Sequence, residues 1–388
     1  MEGADESDGH AVPLPDQAIG HLGLVHADPP VPEDRRVPGI LGIALRVEVS
    51  QDRRVVERRR TKCQFLGAST HAFNHKVNLC AVIARGVRAI PGLGPARGRS
   101  VHRLALSPVC WGVSASEDKG YQLELDRVLS EAAAVGEGAI TAGPPGFLPD
   151  RSDQAKMLLR RHRLHVIAGQ VHAVLHNHDI RGPELAHIDG HAHWLSAIGA
   201  ETLVLSAIPE RNGSGGRKAA LSNTQWAHLL NLVGSVEHVC ARHKVKLAVQ
   251  PRFGSTIQGP EDIERLLVGS AAGICLDVGH LTLAGADPLD VLELAAGRIQ
   301  HVQLNDVDPG LAKEVREGTM DYTEAVGLNL YRPLGEGAAN VAEVLEALKA
   351  MKYRGWYALE QETRLGSHDD RPLGRISRSL GFLLPLLS

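Results

Sequence analysis

From residue 104 onward, short apolar runs alternate with longer segments in which apolar residues recur at helical spacing. Short apolar runs predict strands, and the spaced pattern predicts amphipathic helices. The expected strands are 104–113, 139–141, 165–168, 202–206, 245–250, 274–278, 299–304 and 356–359. Eight strand–helix units in about 285 residues match the count and size of a closed (β/α)₈ barrel, which is the fold that we predict.

A doubly wound parallel sheet is the main alternative fold, because it also alternates strands with helices. That fold normally carries a glycine-rich phosphate-binding turn after its first strand. Here the corresponding segment, residues 110–114, reads Cys-Trp-Gly-Val-Ser and contains one glycine. The pattern therefore favours the barrel.

The first hundred residues follow neither period. No aromatic residue precedes Phe65, and arginines cluster between Arg53 and Arg60. A basic cluster can contact nucleic acid, but it is more often part of a solvated, disordered segment. We divide the chain into a poorly structured N-terminal extension, residues 1–102, and the barrel, residues 103–388.

The composition of the chain bears on its cellular location and on the class of partner it binds. The 388 residues carry a formal net charge of −3, which gives no support for a nucleic-acid partner. No apolar run reaches the roughly 18 residues of a membrane span, and the N-terminus lacks the basic and apolar parts of a signal peptide. The five cysteines form no Cys-x-x-Cys pair, so we expect reduced thiols and a cytoplasmic location.

Three expected strands end in residues that bind hard metals or move protons. Asp277 lies near the end of one strand and His280 follows it, Gln303 lies near the end of the next, and Glu360 follows the last. In a parallel barrel the C-terminal ends of all strands meet at one face, where such enzymes hold their active sites. The pattern indicates an enzyme that acts on a carbonyl sugar or polyol.

Several motifs in order give the chain a family resemblance. It resembles the xylose isomerase-like TIM barrels, a superfamily of sugar isomerases, epimerases and dehydratases, and within it the inosose dehydratase-type proteins. The resemblance covers about residues 104–386. The matching motifs are Ser107-Pro-Val-Cys-Trp-Gly112, Gly143-Pro-Pro-Gly-Phe-Leu-Pro149, Leu276-Asp-Val-Gly-His280, Asn305-Asp-Val-Asp-Pro309, Tyr331-Arg-Pro-Leu-Gly-Glu-Gly337 and Tyr353 to Gln361.

The resemblance implies one divalent metal, Mn²⁺, Co²⁺ or Mg²⁺, held by four strand-end ligands. Such proteins commonly use Glu, Asp, His and Glu, and these ligand positions fall on Gln250, Asp277, Gln303 and Glu360. Hydroxypyruvate isomerase-like members are similar to this chain in having Gln at the third position. Gln250 departs further, because an amide supplies neither charge nor a base, and metal affinity should fall.

The remaining candidates are assigned by their places at the strand ends. Glu360 and His280 are the predicted catalytic residues, since Glu360 can serve as ligand and base in turn and histidine has a reference pKa near 6.5. The predicted substrate-binding residues are His176, Arg252, His280, Asp306 and Arg332. Structural alternatives remain open: Asp277 could cap a helix, and His280 could pack over its loop.

The connection 306–337 is longer than an ordinary turn, and such loops often act as lids. Apolar spacing predicts two helices in it, at 311–316 and 322–326. We expect a lid that closes over the substrate with Arg332 reaching inward. The alternative is a surface excursion that only packs on the barrel.

The function implied by the resemblance is metal-dependent carbonyl chemistry through an enediolate. The substrate would be a keto-sugar or keto-inositol, and the reaction inosose dehydration, or isomerisation or epimerisation, within inositol or carbohydrate catabolism. Gln250 and Thr141, which departs from a usual Glu, support the alternative of an impaired barrel that binds a sugar-like ligand without turnover. An abasic-site endonuclease of this fold needs three zinc ions and is disfavoured by the charge. A homo-oligomer is expected from the resemblance alone.

Overall fold

The computed structural model describes residues 103–114, 120–209 and 220–388, so the expected extension 1–102 lies outside the described residues. Eleven strands are found there. Their bounds are β1 (Leu104–Leu106), β2 (Ala139–Ile140), β3 (His165–Val166), β4 (Ala168–Ala173), β5 (Thr202–Ala207), β6 (Lys246–Val249), β7 (Gly273–Asp277), β8 (Ile299–Leu304), β9 (Asp306–Val307), β10 (Tyr331–Arg332) and β11 (Tyr357–Leu359).

Nine of these strands form one parallel sheet in the order β3-β2-β1-β11-β8-β7-β6-β5-β4. The two ends of this order, β3 and β4, are separated in the chain only by Ile167. The backbone N–H of Ile167 donates to Ile140 (3.0 Å), and its carbonyl accepts from Glu201 (2.9 Å), so this residue joins β2 to the segment before β5. The sheet thus closes on itself as eight strands, and the expected (β/α)₈ barrel is confirmed.

Helices alternate with the strands along the chain. They are α1 (Leu125–Val135), α2 (Ser152–His162), α3 (Arg181–Ile198), α4 (Asn223–His243), α5 (Pro260–Gly269), α6 (Val278–Leu283), α7 (Pro288–Leu294), α8 (Pro309–Glu317), α9 (Tyr322–Gly327), α10 (Val341–Ala350) and α11 (Leu373–Leu387). None of the helices in the described ranges is long and apolar enough to cross a membrane.

Helix α4 shows how the sequence sets these elements. Ser222 accepts the N–H of Gln225 (3.2 Å) while the Gln225 side chain accepts the N–H of Ser222 (2.9 Å), a reciprocal cap that fixes the first turn. From there Trp226, Leu229 and Val233 recur at helical spacing and are buried against the sheet. The helix therefore begins and ends at the residues expected from the sequence.

Strand alternation separates an outer core from the barrel interior. Val302 and Leu304 point outward into the large core between strands and helices, whereas His301 and Gln303 point into the barrel. The interior is filled mostly by small side chains, with Trp356 among them. Small residues there leave space above them, toward the C-terminal ends of the strands.

The connection 306–337 is a packed substructure. Strands β9 and β10 pair antiparallel, and helices α8 and α9 occupy the two segments where helices were expected. Asp308 and Asp321 cap these helices through their side chains. An apolar cluster of its own ties the connection to the barrel through Phe253 and Leu283.

Candidate active site

Four strand ends bring the expected metal ligands together at the C-terminal face of the barrel. Gln250 follows β6, Asp277 ends β7, Gln303 lies in β8, and Glu360 follows β11. The Gln250 amide Nε2 donates to Asp277 Oδ2 (2.6 Å) and to Gln303 Oε1 (2.5 Å). The Gln303 amide in turn donates to Glu360 Oε1 at 3.3 Å. The four side chains therefore form one hydrogen-bonded series.

The carbonyl end of Gln250 is held by two residues that the sequence analysis missed. Gln170 Nε2 and Ser206 Oγ each donate to Gln250 Oε1 at 2.5 Å. Gln170 lies in β4 and Ser206 in β5, both facing the barrel interior. These two donors fix which end of the Gln250 amide faces Asp277.

This donor set does not fit a divalent cation as it stands. A hard cation needs converging oxygen lone pairs and negative charge. Here Asp277 Oδ2 and Gln303 Oε1 converge on the N–H group of Gln250, which repels a cation. Within the described ranges, no group of three or more His, Cys, Asp or Glu side chains is arranged to hold a metal. The convergence predicted for the four residues is present, but Gln250 is turned the wrong way for ligation.

The two carboxyl groups of the site are both poorly solvated. Burial raises the pKa of Asp277, although the backbone N–H of His280 (2.9 Å) opposes the shift. Burial and the neighbouring Asp277 charge raise the pKa of Glu360 to about 8, against a hydrogen bond from Ser107. Glu360 is therefore mostly protonated at pH 7 and becomes ionised as the pH rises through 8, so both of its forms are populated near neutral pH, as is common for an acid–base group of an enzyme. Asp277 also caps α6, so the structural alternative for this residue holds as well.

His280 lines the cavity and belongs to a chain of hydroxyl groups. Its Nε2 lies 3.3 Å from the Tyr331 hydroxyl, which is 3.0 Å from that of Tyr322, and Tyr322 donates to Glu362 at 2.7 Å. Burial raises the pKa of both tyrosines well above the usual value, so both stay neutral. The connection 306–337 thus contributes part of the cavity wall through Tyr331.

Arg252 brings positive charge to the same cavity. Its guanidinium Nη1 lies 3.2 Å from His172 Nε2, and both side chains line the cavity. A guanidinium here can hold a substrate oxygen that becomes negative during reaction. The substrate contact expected for Arg252 is compatible with this place and stays a prediction.

Three residues expected to bind substrate lie elsewhere. Asp306 is buried, and its two oxygens accept backbone N–H groups of Val307, Gly335, Gly337 and Ala339 at 2.9 to 3.0 Å. Arg332 is paired with Asp308 at 2.7 Å and does not reach inward. His176 follows β4 outside the set of cavity-lining residues, and His172 lies in the cavity instead.

The cavity has a volume of about 980 Å³, and Asp277, Gln303, Glu360 and His301 are among the residues that line it. His301 is 1% exposed, and burial lowers its pKa to about 4, so the imidazole is neutral at pH 7. Neither of its ring nitrogens has a hydrogen-bond partner among the described residues. A cavity of this size on the C-terminal face is the place where barrel enzymes bind their substrates.

The chain is similar to known proteins in both sequence and fold. The model of the family described as xylose isomerase-like TIM barrel matches residues 129–385, more than half of the chain. The chain belongs to this family. Its fold is shared by a solved structure of the IOLI protein with a zinc atom, with a TM-score of 0.56 at 15% identity over 74% of this chain and 98% of that one.

Two sequence relatives carry functional names. The rhizopine catabolism protein MocC of Rhizobium meliloti is 26% identical over 267 residues, 67% of this chain and 81% of its own length. The inosose dehydratase of Geobacillus thermodenitrificans is 26% identical over 271 residues, 67% of this chain and 89% of its own length. The resemblance to inosose dehydratase-type proteins is thereby confirmed, and an enzyme of this superfamily is indicated.

Proposed function

We propose that this xylose isomerase-like barrel removes the proton next to the carbonyl of a cyclic keto-polyol of the inosose class, and then eliminates a hydroxyl group as water. The observation that carries the proposal is the convergence of Glu360, Asp277 and Arg252 on one cavity at the C-terminal face. A carboxyl group beside a guanidinium suits the formation of an enolate, because one group accepts the proton while the other stabilises the oxygen.

A single carboxyl group, that of Glu360, can carry out both proton transfers of this reaction. The ionised form of Glu360, which is the minor form at pH 7 and grows as the pH approaches 8, takes the proton from the carbon next to the carbonyl. The electron pair forms the enolate, whose oxygen faces Arg252. The carbon–oxygen bond at the β-carbon then breaks, and Glu360 returns its proton to the departing hydroxyl, which leaves as water. Without elimination, return of the proton to the other face or the other carbon gives epimerisation or isomerisation.

His280 has a narrower role in this proposal than the sequence suggested. Its Nε2 is engaged with the Tyr331 hydroxyl at 3.3 Å, and Tyr322 donates onward to Glu362. The imidazole therefore orients Tyr331 at the cavity wall, and Glu360 is the group assigned to proton transfer.

The metal-dependent form of this chemistry came from the family resemblance. A cation would supply Lewis acidity at the carbonyl oxygen. Because the Gln250 amide presents N–H groups where oxygens are needed, no step of the proposal passes through a metal. A keto-inositol or keto-sugar as the small-molecule partner, with no nucleic acid or membrane, a cytoplasmic location and a homo-oligomer complete the proposal as predictions from the sequence.

Proton exchange tests the proposal directly. The full chain is incubated with 2-keto-myo-inositol in D₂O, and proton NMR follows loss of the signal next to the carbonyl. We expect the parent to exchange this proton and to form a dehydrated product. In Glu360→Gln the exchange rate should decrease about 10²–10⁴-fold, because the proton acceptor is removed. Glu317→Gln, the same change at an exposed carboxylate on α8, is the control and should exchange like the parent.

Two outcomes would change the assignment. Exchange without a dehydrated product would replace elimination with epimerisation or isomerisation. Binding of the keto-inositol by calorimetry with no exchange in the parent would reject turnover and support a barrel that only binds its ligand.

A further inference from the structure

The Gln250 side chain lies at the centre of the strand-end cluster. It is 2% exposed, and its amide nitrogen lies within 2.6 Å of an Asp277 oxygen and 2.5 Å of a Gln303 oxygen. Two acceptors from adjacent strands thus converge on one N–H₂ group. In a metal-binding barrel, this point of convergence is where oxygen ligands and a cation meet.

The orientation of this amide is determined on its other side. Gln170 Nε2 and Ser206 Oγ both donate to Gln250 Oε1. Turning the amide over would set its oxygen against the oxygens of Asp277 and Gln303, and its N–H₂ group against that of Gln170. Buried donors and acceptors are strongly disfavoured in such unmatched pairs. The turned state that would offer an oxygen to a cation is therefore opposed at both ends.

The amide also has a positive role in the cluster. By donating to Gln303 Oε1, it leaves the Gln303 N–H₂ group to face Glu360 Oε1. By donating to Asp277 Oδ2, it satisfies the second oxygen of a buried carboxylate whose other oxygen accepts the backbone N–H of His280. Gln170 and Ser206 thus set the orientation of Gln250, and Gln250 sets the orientation of Gln303.

We propose that the Gln250 amide, held by Gln170 and Ser206, replaces the divalent cation in this barrel, so that the site binds its ligand and moves protons without a metal. Gln170 and Ser206 are positioning residues in this arrangement. The part of the proposal that concerns proton transfer rests on the proposed function, whereas the part that concerns metal affinity does not.

Metal affinity of the full chain is the first test. Binding of Mn²⁺ alone is measured by isothermal calorimetry and by the loss of the free Mn²⁺ signal in electron paramagnetic resonance. We expect the parent to show no stoichiometric binding, and Gln250→Glu to bind about one Mn²⁺ at least 100-fold more tightly, because a third carboxylate replaces the N–H group. Gln154→Glu, the same change at an exposed site on α2, is the control and should not gain affinity.

A second variant tests the positioning residues. In Ser206→Ala combined with Gln170→Leu, the Gln250 oxygen loses both donors and the amide is free to turn. We expect at least a tenfold gain in Mn²⁺ affinity over the parent, still below that of Gln250→Glu. A gain in the double variant supports the proposal even where Gln250→Glu does not fold, as judged by circular dichroism.

Chelation connects the result to turnover. Proton exchange on 2-keto-myo-inositol by the parent should be unchanged by EDTA. Stoichiometric micromolar binding of Mn²⁺ by the parent, or loss of exchange in EDTA that Mn²⁺ restores, would overturn the metal-free site. If no exchange occurs under any condition while the Mn²⁺ affinities follow the expected order, the proposed function fails and the assignment of Gln250 stands.

Discussion

At the scale of single residues, His301 makes the stability of the barrel sensitive to acid. Burial lowers its pKa from 6.5 to about 4, so the unfolded chain binds a proton more readily than the folded one. His301 therefore does not lower the free energy of unfolding above pH 6.5, and this free energy decreases as the pH falls from 6.5 toward 4. Lowering the pH from 7 to 5 should reduce the free energy of unfolding by about 2 kcal/mol through this one residue.

His301→Leu should remove that part of the pH dependence. Leucine cannot take up a proton and leaves no polar atom without a partner in the barrel interior. Urea unfolding at pH 7 and pH 5 measures the difference: the variant should gain about 2 kcal/mol on the parent as the pH falls between these values. If the parent and the variant lose the same unfolding free energy between pH 7 and pH 5, His301 binds its proton equally well in the folded and unfolded chains, and the prediction is contradicted.

Residue type and strand position together were enough to bring Asp277, Gln303 and Glu360 to one site from the sequence. They were not enough for Asp306 and Arg332, because a polar side chain near a barrel mouth can face either the cavity or nearby backbone and side-chain groups. The Asp306 carboxylate accepts four backbone N–H groups, and the Arg332 guanidinium donates to Asp308. These partners lie in a loop whose course the sequence pattern does not define.

At the scale of elements, Asp306 holds the end of the connection 306–337 in place. Asp306→Ala would leave the N–H groups of Val307, Gly335, Gly337 and Ala339 without their acceptor. Since each such group costs about 1–3 kcal/mol when buried, and partial exposure of the loop reduces the sum, we expect a loss of roughly 3–5 kcal/mol. Chemical denaturation measures it.

Asp308 provides the comparison, because it is the same residue type two positions along the chain. It is more exposed, and its side chain caps α8 and pairs with Arg332. Asp308→Ala should therefore cost about 1 kcal/mol, the usual value of a helix cap. Equal losses in the two variants would contradict the role given to Asp306.

Elements whose apolar pattern is regular were predicted from the sequence, including α4 and both helices of the connection. Strand β4 was ended too early, at Ala168, whereas it continues to Ala173. The reason is that Gln170 and His172 face the cavity, so the interior positions of this strand are polar and interrupt the apolar run. His176 was assigned to a polar loop at the barrel mouth, whereas the histidine of this strand that lines the cavity is His172.

At the scale of the whole molecule, the barrel should fold without residues 1–102. Strand β1 pairs with both β2 and β11, and Leu104 and Leu106 are fully buried in the main core. Arg103 already belongs to the barrel, since its carbonyl accepts the N–H of Tyr357 (2.9 Å) and its guanidinium lies 5.7 Å from the Trp356 ring.

The fragment 103–388 keeps all of these contacts, whereas a fragment that begins at residue 108 loses β1 and exposes the edges of β2 and β11. We expect the first fragment to unfold within about 2 °C of the full chain, a shift below 1 kcal/mol for a domain of this size. The second should show no cooperative transition by circular dichroism, because the barrel is open and two unpaired edges favour aggregation. A much lower midpoint for 103–388 would mean that the extension stabilises the barrel, and the division at residue 102 would have to be given up.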